Sequence, residues 1–195
     1  MLSSDGSFQR ARPWYKCGKE GSNHAADNAV TLKELFQNKA VVFFGIPAPF
    51  TGTCSLEHYP GYKRLAEDFI ALGCDEIVCY SVTDPYAHYC WSRSLGNDEK
   101  KISFLADPGA SFAREFGLLG KYEKLGLGER SIRFSMIVVD GKVTNFHVVD
   151  DAVADAHRLL EELKQLKETK YSLAGRRKEG PPFNPKRIAN KIDWF

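Results

Sequence analysis

Cys54 is the side chain whose setting points most directly to chemistry. It lies in the stretch Ala40–His58, Ala-Val-Val-Phe-Phe-Gly-Ile-Pro-Ala-Pro-Phe-Thr-Gly-Thr-Cys-Ser-Leu-Glu-His. The thiolate, not the thiol, is the nucleophile, and it is favoured at a helix N-terminus, where free N–H groups and the macrodipole present positive charge. An isolated cysteine is more often buried and inert. Here Gly45, Pro47, Pro49 and Gly52 break the apolar run, so Cys54 falls in a loop and first helical turn rather than on a core surface. Thr51 stands where an N-cap would stand, and its hydroxyl can bond a backbone N–H or a ligand oxygen. His58, four residues past Cys54, shares its helix face if the turn is regular. For His58, a structural histidine and a residue that tunes the cysteine are both open readings.

Two elements must hold this loop. Val41–Phe44 is continuously apolar, β-branched and aromatic, the pattern of a strand buried on both faces. From about Thr53 to Ala71 the period becomes helical, with Leu65, Ala66, Phe69 and Ile70 on one side. The unit is therefore strand, tight loop, helix.

The same residues carry a resemblance. Pro47-x-x-x-Thr51-x-x-Cys54 resembles the peroxidatic-cysteine motif of peroxiredoxins. The longer string from Phe44 through Cys54-Ser-x-x-His58-x-Pro-Gly-Tyr62 is similar to their type II, or fifth-class, subfamily, with Ala48, Pro49 and Gly52 as departures that alter the loop and spare the motif. Ser81-Val-Thr-Asp-Pro85 with Trp91, Phe104-Leu-Ala-Asp107 and Gly126-Leu-Gly-x-Arg-x-x-Arg133-Phe-Ser-Met136 extend the likeness over about Thr31 to Leu166. The resemblance implies a thiol peroxidase that needs no cofactor or metal and reduces hydrogen peroxide and alkyl hydroperoxides through a sulfenic acid. It implies Cys54 as nucleophile, Thr51 as a hydrogen-bonding partner of peroxide and sulfur, Pro47 as a shield from water, and Arg133 as the active-site arginine, with Arg130 as rival. It implies a homodimer and a thiol reductant, either glutaredoxin with glutathione or a thioredoxin-like protein. In plant-type members a resolving cysteine lies in the strand after the cysteine-bearing helix, and Cys79 occupies that position; direct attack by an external thiol is the competing route.

Along the rest of the chain, strands are expected at 75–82, 103–106, 133–139 and, after the Asp140-Gly141 hairpin signal, 142–149. Helices are expected at 86–95, 110–116 and 155–168, and a helical turn at Thr31–Phe36 with Thr31 as N-cap and Glu34 three residues on. This alternation gives an α/β fold, a central mixed sheet with helices on both faces, and the order fits a thioredoxin-like fold. The expected domains are an N-terminal arm at 1–29, the thioredoxin-like peroxiredoxin domain at 30–169, and a basic, proline-containing extension at 170–195.

Composition narrows the function classes. The 195 residues carry a formal net charge of +2, which implies no nucleic-acid partner, and no apolar run reaches the ~18 residues of a membrane span. Five cysteines without a C-x-x-C pair argue for a reducing compartment rather than a disulfide scaffold or zinc site. The cytoplasm fits, and Arg10, Arg12 and the N-terminal serines leave a mitochondrial location open. Two other classes share Cys54: a thioredoxin-like redox sensor or chaperone without turnover, and a Cys–His hydrolase, for which no separate signature is present.

Overall fold

The computed structural model describes residues 6–16, 24–97 and 101–168. The chain opens with β1 (Ser7–Arg10), a 3-10 turn at Trp14–Lys16, α1 (His24–Asn28) and β2 (Ala29–Thr31). Then come α2 (Leu32–Phe36) and β3 (Ala40–Ile46). A π-helical turn at Cys54–His58 runs into α3 (Tyr59–Ala71), followed by β4 (Glu76–Ser81), α4 (Pro85–Ser94), β5 (Ile102–Ala106) and α5 (Ser111–Glu115). β6 (Leu119–Lys121) and β7 (Glu129–Ser131) pair with each other as a separate two-stranded sheet. β8 (Phe134–Val139), β9 (Lys142–Val148) and α6 (Asp155–Glu168) complete the order.

One mixed sheet of seven strands, ordered β2-β1-β5-β4-β3-β8-β9, is the frame. β3, β4 and β5 run parallel, and β8 joins β3 antiparallel with Phe44 opposite Ser135 and Gly45 opposite Phe134. β3 is buried along its whole length because it is covered on both faces. Val41 and Phe43 enter a core with Phe8, Phe36, Tyr80, Phe112 and Phe134. Val42, Phe44 and Ile46 enter a second core with Cys54, Tyr62, Phe69, Cys79, Trp91 and Leu159. Gly45 is required where it stands, since a Cβ there would lie 2.1 Å from the Phe134 ring.

Local signals account for the turns. Thr31 and Glu34 form a reciprocal capping box, with Glu34 N–H donating to Thr31 Oγ1 at 3.1 Å and Thr31 N–H to Glu34 Oε2 at 2.8 Å. Asp140 and Gly141 both take positive φ, 47° and 70°, the geometry of a two-residue type I′ turn between β8 and β9.

The described part of the divergent N-terminal arm expected at 1–29 joins the sheet. β1 lies between β2 and β5, with Phe8 fully buried against the rings of Tyr80 and Phe112 at 5.5 and 5.0 Å. A four-residue strand is too short to display a period, so its apolar anchor passes unnoticed in a polar segment. The extension at 170–195, and Cys17, lie outside the described residues.

Candidate active site

The site begins where β3 ends. Pro47 and Ala48 are buried, and Phe50 is held at φ 61°, an uncommon conformation for a bulky side chain. The helix then starts: Ser55 N–H donates to Thr51 O at 3.0 Å, so Cys54 sits in the first turn. Thr51 does not cap through its side chain. Its hydroxyl donates to Ala48 O at 2.9 Å, which leaves the oxygen's lone pairs as acceptors.

The turn is not regular. Tyr59 N–H bonds Cys54 O, an i→i+5 link, so one extra residue is inserted between Cys54 and α3. The expectation that His58 shares a face with Cys54 by four-residue spacing is therefore corrected. The two are joined instead through Arg133, just before β8. Arg133 Nη2 donates to Cys54 Sγ at 3.5 Å, and Nη1 lies 3.1 Å from His58 Nδ1. Arg130 faces elsewhere, donating to Leu127 O at 2.9 Å and Val82 O at 2.6 Å, where it ties the β6–β7 loop to the end of β4.

Behind His58 is a buried carboxylate. Asp155 Oδ2 accepts from His58 Nε2 at 2.9 Å and from Tyr62 Oη at 2.5 Å. Oδ1 accepts from Ser135 Oγ at 2.7 Å and Arg158 Nη2 at 2.6 Å. Burial pushes this carboxyl up, but the hydrogen bonds of His58 and Tyr62, the His58 charge and the Ser135 bond outweigh it and hold it at about 2. Burial is also the largest influence on His58; together with Arg133 and Arg158 it outweighs Asp155 and lowers the imidazole below its usual value. Phe44 and Tyr62, stacked at 3.9 Å, set their ring edges against the imidazole.

Three of these residues are absent from the reading of the chemistry in the sequence: Asp155, Ser135 and Tyr62. Asp155 leaves a signal. It falls four residues before Leu159 and eight before Leu163, so a charge occupies the apolar stripe of α6. Trp91, fully buried on α4, donates from Nε1 to Ser55 Oγ at 2.9 Å and pins the residue after Cys54.

Cys79 is placed on β4, opposite Phe44 of β3, fully buried in the same core as Cys54. Burial first, and Cys54 second, push its thiol well above the usual range. His88 Nε2 lies 3.9 Å from its Sγ. Cys54, Cys74, Cys79 and Cys90 are all unbridged. Among the described residues no group of three or more His, Cys, Asp or Glu side chains is arranged to hold a metal ion, and no helix is long and apolar enough to cross a membrane.

The family model described as Redoxin matches residues 18–160. The chain belongs to the redoxin family. Within it the chain is similar to the mitochondrial peroxiredoxin-2F of Arabidopsis thaliana, 38% identical over 76% of this chain and 71% of that protein. It is 42% identical to a peroxiredoxin of Synechocystis sp. over 60% of this chain, a match that spans 61% of that relative. The match to the hybrid peroxiredoxin of Haemophilus influenzae, 37% identical over 79% of this chain, spans 66% of it. Among solved structures, reduced Prx3 of Vibrio vulnificus in complex with hydrogen peroxide superposes with a TM-score of 0.66 at 36% identity, over 70% of this chain and 84% of that one. The sheet order and these likenesses make the fold thioredoxin-like, and the redoxin is a peroxiredoxin of the type II kind.

Proposed function

We propose that this redoxin is a thiol-dependent peroxidase. The observation that carries the reading is the Arg133 guanidinium directed at the Cys54 sulfur in the first turn of a helix, because a cation and free N–H groups together favour the thiolate and stabilise charge as it moves onto oxygen. The Cys54 thiolate attacks one oxygen of H2O2 or ROOH and the O–O bond breaks. Cys54 is oxidised by two electrons to the sulfenic acid, the peroxide is reduced, and the departing hydroxide or alkoxide takes a proton and leaves as water or alcohol. The Thr51 hydroxyl, donating to Ala48 O, is left to accept from the peroxide O–H. The buried Pro47 helps keep water from the sulfur.

A thiol restores the enzyme. We infer that Cys79 pairs slowly with the sulfenic acid, releasing water and forming a disulfide that an external dithiol reduces. Both cysteines are buried, so this step requires local opening. Glutathione with glutaredoxin, or a thioredoxin-like protein, fits as electron donor. Further parts of the reading are a homodimer, supported by exposed Phe50 and Leu56 flanking the site, and a reducing compartment, the cytoplasm or the mitochondrion.

The deciding experiment is stopped-flow oxidation of Cys54 by hydrogen peroxide and by an alkyl hydroperoxide, paired with steady-state turnover on a thiol reductant. Multiple turnovers, abolished by Cys54→Ser, are the expected result. Consumption of a single equivalent instead identifies a redox sensor.

A further inference from the structure

Asp155 begins α6 yet does none of the work of a helix cap. The turn leading into α6 is served by Asp151, whose Oδ1 accepts from the N–H groups of Val153 and Ala154, both at 3.0 Å. Asp155 instead turns inward, fully buried, and collects four donors from α3, β8, α6 and the π-helical turn. A carboxylate is acceptor-only, so His58 must present Nε2–H to it. The other ring nitrogen, Nδ1, is then a lone pair, and it faces Arg133 Nη1, which can only donate.

We propose that Asp155 is a positioning residue for the peroxide-reducing site: it fixes His58 as the Nε2–H tautomer, whose Nδ1 anchors Arg133 so that the second guanidinium nitrogen points at Cys54 Sγ. The proposal rests on the peroxidase reading for its purpose, though not for its geometry. The path runs Asp155–His58–Arg133–Cys54 through contacts of 2.9, 3.1 and 3.5 Å. The charged and titratable groups around His58 are Asp155 and Arg158 from α6, Arg133 ahead of β8, and Tyr62 from α3, which shares the carboxylate.

Asp155→Asn puts this to the test with a defined chemical consequence. Arg158 cannot accept a hydrogen bond, so the amide oxygen must remain on its side. The amide NH2 then faces Tyr62, whose hydroxyl rotates to accept, and His58, which must shift its proton to Nδ1. Two donors now oppose each other where Arg133 was held. In Asp155→Asn, Cys54 oxidation by hydrogen peroxide and its alkylation by iodoacetamide at pH 7 should both fall about tenfold, the scale of one charge-assisted hydrogen bond, and the pH profile of alkylation should move upward. In an Arg133→Ala background the same change should cost less than about twofold. An equal slowing in both backgrounds makes Asp155 merely structural and overturns the proposal, as do unchanged rates in the folded single variant. Should the variant fail to fold, nitrogen-15 NMR of His58 in the unaltered protein decides: the Nε2–H form at pH 7 is expected, and an Nδ1–H or cationic ring refutes it. If Cys54 of the unaltered protein ignores peroxide, the peroxidase reading fails, while the tautomer and the alkylation comparison still judge the relay.

Discussion

Arg133 Nη2 donates to Cys54 Sγ at 3.5 Å across 79 positions of sequence. The pairing of β3 with β8 helps bring these residues together, since Gly45, near the end of β3, lies opposite Phe134, the residue after Arg133. The sheet register sets where Arg133 starts, and the His58 contact then aims its guanidinium at the sulfur. A slip of one residue would turn β8's side chains to the other face.

Arg133→Ala should slow Cys54 oxidation by roughly tenfold or more, because a charge-assisted donor to the sulfur is lost. Arg133→Lys should recover part of the rate and no more. A single ammonium cannot reach His58 Nδ1 and Cys54 Sγ together as the two arms of the guanidinium do. Stopped-flow fluorescence with hydrogen peroxide measures both. Equal rates for the lysine variant and the unaltered protein would show that the fork geometry is irrelevant.

Much of this arrangement is legible in the sequence, and the illegible part has physical causes. β3 shows itself as a continuous apolar run because both of its faces are buried, and α6 shows the leucine stripe of a helix covered on one side. Asp140-Gly141 names its own turn because few residues tolerate two successive positive φ angles. β1 is hidden because three of its four residues are partly exposed or exposed and only Phe8 is buried. The π-helical insertion has no compositional mark, so four-residue spacing misplaces His58 relative to Cys54. Asp155 was visible only as a charge on an apolar stripe, and its meaning required knowing that Tyr62, Ser135 and His58 converge there.

Oxidation should produce a Cys54–Cys79 disulfide, slowly. Cys79 lies in a central strand and its thiol is pushed well above the usual range by burial, so little of it is thiolate while the fold stays closed. A bridge also needs the two Cα atoms within about 7 Å. Mass spectrometry of the peroxide-treated protein should find the bridged peptide, and Cys79→Ser should lack it and turn over more slowly with a dithiol donor. Turnover of Cys79→Ser at the unaltered rate with glutathione and glutaredoxin would make this a one-cysteine enzyme.

Stability should fall on mild acidification, and His88 should be a principal cause. The ring is fully buried, between Trp91 at 5.8 Å and Phe104 at 5.0 Å, and burial lowers its imidazole from 6.5 to about 3. In the unfolded chain the same group takes up a proton near pH 6.5. A depressed value in the folded state means that the unfolded state binds the proton first, so the His88 contribution is fully present above about pH 6.5, declines below it, and is used up at about 3. The drop across that window should amount to several kcal/mol at each pH unit's 1.4 kcal/mol for one group. Asp155, held near 2, and His58, also lowered, act in the same direction, but Asp155 contributes only below the ordinary carboxylate range. His88→Leu removes the titration while keeping an apolar side chain among Trp91, Phe104 and Cys79. Urea unfolding at pH 7.5 and pH 4.5 should therefore show a smaller loss of stability for His88→Leu than for the unaltered protein. Parallel losses in the two proteins would place the acid sensitivity elsewhere in the fold.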